Sequence, residues 1–323
     1  MRSRRRVIAA LALALACAPG TWLRTPVPDA MPSDITLTPL LGPHATDTPG
    51  WSLGGVWQYS AQSRYFGGFS AILALYDHKL RAFSDRGTRF TFVEPDQPEA
   101  ADSDLSVVYQ AVEDAYSNDL WDIEAATRDP ATGDYWLSYE NYHAIHRFSQ
   151  ASERKGVRVL DDEVDWPVNG GAEAMVRLAD GRFVIIPEGR DEALIFASDP
   201  VEHPEAARTI VWQVPAPGYV VTDMAQLPDG RLLMLLRDLE LAYPPFVSLL
   251  AIAEPPPTAG AAAWSGEVVF AFDGVVPREN YEGLTLREEE DGKVAVWVIA
   301  DDNQSVQQRT LLVKLLFDPA VER

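Results

Sequence analysis

An acidic residue leading into a short apolar run recurs four times along this chain of 323 residues. The copies are Asp-Ile-Glu-Ala-Ala at 122–126, Ala-Glu-Ala-Met at 172–175, Thr-Asp-Met-Ala at 222–225 and Tyr-Glu-Gly-Leu at 281–284. A fifth, Phe-Ser-Ala-Ile at 69–72, carries Ser70 in place of the acid. Ser70, Glu124, Glu173, Asp223 and Glu282 lie 54, 49, 50 and 59 residues apart. A repeat of roughly 40–50 residues with strand–turn–strand content predicts a β-propeller. In that architecture the innermost strand of every blade starts beside one central channel. The carboxylates of Glu124, Glu173, Asp223 and Glu282 are therefore expected at one mouth of it.

The rest of each unit agrees with this reading. Asp180-Gly181-Arg182, Asp229-Gly230-Arg231, Asp291-Gly292-Lys293 and the looser Thr132-Gly133-Asp134 each separate two apolar runs. Asp-Gly between such runs is a hairpin signal, because glycine tolerates the positive φ these turns need. The returning runs, 135–139, 183–186, 232–236 and 294–299, are rich in β-branched, aromatic and aliphatic residues. A second acid follows each return: Asp85, Glu140, Glu188, Asp238 and Asp301, between 15 and 19 residues after the first marker. A hairpin sends the chain out and back, so both markers fall at the same end of a blade. Solvated loop carboxylates or hairpin caps are the alternative for any one of them.

Composition bounds the partners. Helical periodicity is weak, and strand-like runs bounded by Gly, Pro, Asp and Asn dominate. The sequence predicts an all-β fold: a single propeller of five visible blade repeats, five or six blades in all, closed by an N-terminal strand. Ile35–Leu41 is expected to pair with the C-terminal strands and close the ring. Pro255-Pro256-Pro257 and the stretch to Ala263 read as an inter-strand loop. Arg2, Arg4, Arg5 and Arg6 precede an apolar run at 7–16 that ends in Ala14-Leu15-Ala16, a signal-peptide pattern. That run is too short to span a membrane, and no transmembrane segment is expected. The domain division is thus a signal peptide at 1–16, a tether and leading strand at 17–50, and the propeller at 51–323. Cys17, the single cysteine, follows the cleavage site. The expected location is periplasmic or anchored at the outer envelope through a lipid on Cys17, or alternatively secreted. Without the four arginines of residues 1–16, 23 basic residues face 48 acidic ones, a net charge of −25. Such a chain is disfavoured for nucleic acid, whose phosphates need a basic footprint. An anionic substrate needs a bridging metal ion.

Ser84-Asp85-Arg86-Gly87, Asp122-Ile-Glu124-Ala, Asn169-Gly-Gly-Ala-Glu173-Ala, Asp229-Gly-Arg-Leu-Leu and Tyr281-Glu-Gly-Leu occur in that order. Asp301-Asp302-Asn303 leading into Gln308-Arg309-Thr310-Leu311-Leu312 closes the series. Together they resemble the phytase-like family, also described as "esterase-like activity of phytase", over about residues 50–318. The chain departs from the family's pattern at Ala125, Ala174 and Leu236-Arg237. The resemblance implies a propeller related to calcium-dependent phosphoesterases, in which calcium shields acidic side chains and binds substrate phosphate. Calcium takes six to eight oxygen ligands. Glu124, Glu173, Asp223 and Glu282 could supply carboxylates, with Asp85, Glu140, Glu188, Asp301, Asp302 and Asn303 nearby. Unpaired carboxylates this close repel one another and raise some pKa values.

Arg86, Arg190 and Arg237 follow or overlap the second markers and could hold a phosphate or carboxylate by bidentate contacts; pairing with the surplus acids is the alternative. Arg86 and Arg237 are the candidates to orient an anionic group. His143 and His146, three apart in an extended strand, face opposite sides and make poor joint ligands. Ser70 and Ser84 lie outside a Gly-x-Ser-x-Gly elbow and read as hydrogen-bonding strand-end residues. The nine tryptophans read as core. The functional expectation is hydrolysis of a small anionic or ester substrate, a phosphoester or another ester, with calcium at the channel mouth. The rivals are a calcium-dependent lactonase-like hydrolase, marked by an apolar pocket, and a non-catalytic scaffold with a structural ion, marked by a plugged channel.

Overall fold

The structure, a computed structural model, describes residues 35–63, 65–108, 121–167, 170–203, 205, 207–260 and 263–321. The expected signal peptide, Cys17 and most of the tether lie outside the described residues. Among the described residues there is no α-helix, and no helix is long and apolar enough to cross a membrane.

Five antiparallel sheets follow one another along the chain. The first blade is β4 (Phe69–Ala74), β5 (Lys79–Ser84), β6 (Thr88–Val93) and β7 (Ser103–Val107). The second is β8 (Ile123–Arg128), β9 (Tyr135–Tyr139), β10 (Ala144–Phe148) and β11 (Arg154–Val159). The third is β12 (Ala174–Arg177), β13 (Phe183–Ile186), β14 (Glu192–Phe196) and β15 (Arg208–Gln213). The fourth is β16 (Val220–Gln226), β17 (Leu232–Leu239), β18 (Phe246–Ala253) and β20 (Glu267–Ala271). Its proline-rich loop carries a short strand, β19 (Trp264–Ser265), across to pair in parallel with β15. The fifth is β21 (Asn280–Glu288), β22 (Val294–Asp301) and β23 (Thr310–Phe317), completed by the N-terminal β3 (Trp51–Ser60). The innermost strands β4, β8, β12, β16 and β21 neighbour one another in a closed cycle. The protein is thus a five-bladed propeller.

Ring closure corrects one expectation. β3 pairs with β23, with Val56 opposite Val313, while β1 (Thr36–Leu41) lies outside it on the sheet edge. The burial of each strand explains the order. Trp51, Leu53, Val56, Trp57 and Tyr59 are buried, so β3 suits an interior position. β1 is mostly exposed and contains Pro39, which cannot donate to a ladder and belongs at an edge.

The inner strands of each blade are buried on two faces, and their alternate side chains feed different cores, while the outermost strands such as β11 and β15 are largely exposed. Met175, Phe183 and Ile185 pack with Trp136 and Ile145 of the second blade. Their neighbours Ala174, Val176 and Val184 pack with Leu232, Met234 and Leu236 of the fourth. The five hydrophobic clusters each join two adjacent blades, and the one between fifth and first closes the circle through Trp297, Phe69 and Phe90. Each large aliphatic or aromatic side chain so buried contributes about 1.5–3 kcal/mol of transfer free energy. Seven of the nine tryptophans are buried, as expected of core residues. The inner hairpin turns use glycines at positive φ, including Gly181, Gly230 and Gly292.

Candidate functional site

The innermost strands pair unevenly where they enter the blades. A β-bulge leaves Ser70 unpaired in the first blade, Glu124 with Ala125 in the second, Thr222 in the fourth and Glu282 in the fifth. A bulge re-aims the side chain of its extra residue. In the third blade pairing starts at Ala174, so Glu173 stands just outside it. Hydrogen bonds between blades confirm the equivalence. Ser70 Oγ donates to the carbonyl of Ile123, which precedes Glu124. Thr222 Oγ1 donates to the carbonyl of Tyr281, which precedes Glu282, at 3.5 Å. The first ring therefore reads Ser70, Glu124, Glu173, Thr222 and Glu282.

Asp223, expected in that ring, sits one residue late. A one-residue slip turns a strand side chain to the opposite face. Its carboxylate is fully buried, Oδ1 accepting the amide of Met224 at 2.8 Å and Oδ2 that of Leu284 at 2.6 Å. Burial holds this carboxyl well above the usual range despite those two donors. Asp223 ties the fourth inner strand to the fifth, and both its oxygens are committed there.

A second ring lies opposite the residues two before the markers. Asp85 N–H donates to Gly68 O at 2.9 Å, Glu140 N–H to Asp122 O at 2.9 Å and Glu188 N–H to Gly171 O at 3.1 Å. In the fifth blade Asn280 faces Asp301, and in the fourth Val220 faces Arg237. This ring reads Asp85, Glu140, Glu188, Arg237 and Asp301. Asp238 is again one residue late and accepts the amide of Leu239 at 2.7 Å. The fourth blade thus presents a threonine and an arginine where the second and third present acids.

Asp122 is a site residue that the repeat did not single out. It holds φ at 67°, matching Gly68 at 68° in the equivalent position of the first blade. Its carboxylate joins those of Glu124 and Glu140, with one oxygen of each within 4.8 Å of the others. The signal was an aspartate where Gly68 and Gly171 stand in neighbouring repeats. Those glycines have their own reason. A Cβ on Gly68 would come 2.3 Å from Asp85 Oδ1, and one on Gly171 2.8 Å from Glu140 Cγ. The acids of the second ring lie directly against the backbone of the inner strands.

The electrostatics follow from this crowding. Burial, then the Glu173 and Glu282 charges, raise the Glu124 carboxyl well above its ordinary range. Glu173 is raised likewise by burial and Glu282, and Asp301 by burial, Glu282 and Asp85. Asp85 is pushed up to about 7, mainly by burial, and Glu140 to about 7, by burial and by Asp122. Asp85 Oδ1 is buried with no hydrogen-bond partner among the described residues. Convergent oxygens, raised carboxyls and an orphaned oxygen fit a hard divalent cation. Asp122, Glu124 and Glu140 are the group best placed to hold it.

Other expected residues are occupied elsewhere. Asp302 is a clasp: Oδ1 accepts the amides of Gly68 at 3.0 Å and Gln304 at 2.8 Å, and Oδ2 accepts Thr310 Oγ1 at 2.9 Å. Asp301 Oδ1 accepts the amide of Asn303 at 2.6 Å. Arg237 Nη1 donates to Glu282 and to Asn280 Oδ1, the latter at 2.6 Å. Burial opposes its charge, but Glu282 and Glu173 raise its pKa on balance. Arg86 is half-buried, and its guanidinium has no hydrogen-bond or ion-pair partner among the described residues. Its charge acts on Asp85 and Asp302. Arg190 donates to the Asp165 carbonyl. A cleft of 530 Å³ opens at this mouth, lined by Glu188, Arg237, Asp238, Asn280, Glu282, Asn303 and Gln308, with Leu239 and Phe246 as apolar patches.

Of the weaker candidates, His143 departs from the extended-strand reading, since it holds φ at 41° in the turn before β10. Ser84 Oγ is buried, bonded to Thr88 Oγ1 at 2.6 Å and accepting the Thr88 amide at 3.1 Å. Both His143 and His146 are buried, and His146 packs 4.6 Å from the Tyr139 ring. Burial brings His146 down to about 4, so it is neutral at pH 7.

No curated protein matches the chain. Among solved structures, an endo-arabinase from Bacteroides thetaiotaomicron is similar at a TM-score of 0.50 with 10% identity, over 80% of this chain and 97% of that one. An exo-1,5-α-L-arabinanase from a bovine ruminal metagenomic library aligns at 0.48 with 14% identity, over 81% and 98%. At such identities the first likeness speaks for the propeller alone. The family model described as "Phytase-like: Esterase-like activity of phytase" matches residues 64–304, well over half of the sequence and both acidic rings. The chain belongs to the phytase-like family.

Proposed function

We propose that this propeller is a calcium-dependent hydrolase of a phosphoester or another small ester. The observation that carries the reading is the convergence of Asp122, Glu124 and Glu140 at the channel mouth. A bound divalent cation there supplies charge neutralisation, a seat for an anionic oxygen and acidification of its water. The protein's own groups do the rest. Asp122, Glu124 and Glu140 hold the ion, with Asp85 and Glu173 beside them. Arg86, with its donors uncommitted, orients the anionic group of the substrate by charge-assisted hydrogen bonds. Arg237 keeps Glu282 in place and lines the cleft that receives the substrate body. Gln308 offers a further polar contact.

The charged groups of the cleft, Glu188, Arg237, Asp238 and Glu282, and the uncommitted Arg86 favour a phosphoester over a lactone, which needs a neutral pocket. The surplus of 48 acidic over 27 basic residues disfavours nucleic acid as the partner. The basic and apolar pattern of residues 1–16 supports an activity outside the cytoplasm, with Cys17 as a lipid anchor or free; the intact mass of the mature protein tests both points. Turnover of aryl phosphates, aryl carboxylesters and lactones, each with calcium or with chelator, tests the activity. Calcium-dependent cleavage of the phosphate ester is expected, lowered by Arg86→Gln. Cleavage of none of the three classes in calcium would remove the hydrolase reading and leave a binding propeller.

A further inference from the structure

The two mouths of the channel differ in charge. At the end away from the acidic rings the inner strands finish around a cavity of 690 Å³. Its lining includes Arg128, Arg177 and Arg287 against one carboxylate, Asp129. In a chain with net charge −21 a basic cavity runs against composition.

The three arginines are not equally free. Arg287 pairs with the buried Glu94 and donates to the Leu75 and Lys79 carbonyls at 2.8 and 3.1 Å. Its donors are largely committed and its charge is balanced. Arg128 has no carboxylate partner among the described residues. Its guanidinium lies 4.2 Å from the centroid of the Tyr76 ring, and Nη1 donates to Ala74 O at 3.2 Å. Cation–π packing of this kind holds a guanidinium in place without using its donors. Arg177 reaches Asp129 at 3.4 Å and Leu178 O at 3.4 Å, both long contacts. It is fixed from behind, since its own amide donates to Thr127 Oγ1 at 2.9 Å. Two positioned guanidiniums with donors in reserve border a cavity whose other walls include Leu75, Ala225 and Leu286.

We propose that this basic mouth is a second binding site, for a small organic anion that carries a carboxylate or phosphate on an apolar body. Arg128 and Arg177 take the anionic group through forked donors, the geometry that suits carboxylate and phosphate alike. Leu75, Ala225 and Leu286 take the body. The site is independent of any cation at the acidic mouth and of the hydrolase reading.

Calorimetric titration of the full chain in chelator tests it, so that no metal bridges an anion to the acidic mouth. The probes are octanoate, phenyl phosphate and inorganic phosphate. At least one of the first two is expected to bind, and which binds tighter separates carboxylate from phosphate chemistry. Arg128→Gln and Arg177→Gln should each weaken that probe by about tenfold, the value of one charge-assisted hydrogen bond. Arg128→Lys keeps the charge and loses the fork, so it should fold normally and bind more weakly. A measurement free of variants uses phenylglyoxal: the bound probe should protect Arg128 and Arg177 in peptide mass maps and leave Arg154, exposed on the outermost strand of the second blade, reactive. Absence of binding at millimolar probe, or unchanged affinity in both glutamine variants with no protection, overturns the site. Inorganic phosphate binding as tightly as the better organic probe overturns the apolar half of the proposal.

Discussion

Arg237 occupies in the fourth blade the position that Asp301 occupies in the fifth: each stands in its blade's second strand opposite the residue two before the bulge. One arginine is thereby set into a ring of four acids. It donates to Glu282 and Asn280, and its charge offsets Glu173 as well. Arg237→Gln should leave these carboxylates uncompensated and destabilise the metal-free protein by about 3 kcal/mol, the scale for breaking a mostly buried pair. Calcium should restore part of the loss. Urea denaturation with and without calcium reads both.

Asp122 has a left-handed backbone that glycine adopts at the equivalent Gly68. Asp122→Gly removes the carboxylate and relieves a conformation unfavourable to other residues by about 1 kcal/mol. The metal-free variant should be at least as stable as the parent, yet bind calcium about tenfold more weakly. Calorimetry with a melting curve separates the two effects.

Asp223 makes the opposite prediction. Asp223→Ala strands the amides of Met224 and Leu284, each worth about 1–3 kcal/mol when buried without a partner. The melting temperature should fall sharply while the increment added by calcium stays that of the parent. A lost increment would return Asp223 to the metal site.

The acidic mouth also sets a pH dependence. Asp85 and Glu140 titrate at about 7 in the folded protein, against ordinary values of 3.8 and 4.5. The folded state therefore holds more protons than the unfolded state between those limits. Stability is fully present below about pH 4 for these groups and falls as pH rises towards 7. In chelator the melting temperature should be higher at pH 5 than at pH 8, and calcium should narrow the difference. A metal-free melting temperature that rises from pH 5 to pH 8 would contradict the assignment.

The propeller and its acidic mouth were legible because Asp-Gly turns and apolar runs repeat at near-constant spacing, and five inner strands must then share one axis. Three of the four expected first markers, Glu124, Glu173 and Glu282, stand in phase. The fourth blade was misread by one residue. Asp223 and Asp238 follow Thr222 and Arg237 directly, and an acid was expected where the bulge instead selects a threonine. A bulge is set by local pairing that composition does not reveal, and the slip moved both acids of that blade to other faces. Asp122 was missed for the same kind of reason, since a left-handed aspartate reads as a turn residue until its φ is known. Ring closure went to Trp51–Ser60 instead of Ile35–Leu41 because two-sided burial, legible in the density of aromatic residues, outweighs order along the chain.

Direct titration of calcium into the metal-free protein, followed by calorimetry for the parent and for Glu124→Gln, tests the central claim. The account predicts one saturable site in the parent, a gain of about 2.7 kcal/mol in stability at calcium a hundredfold above Kd, and loss of most of that affinity in Glu124→Gln. Equal calcium binding by parent and variant, or none by the parent, would contradict a cation held by Asp122, Glu124 and Glu140.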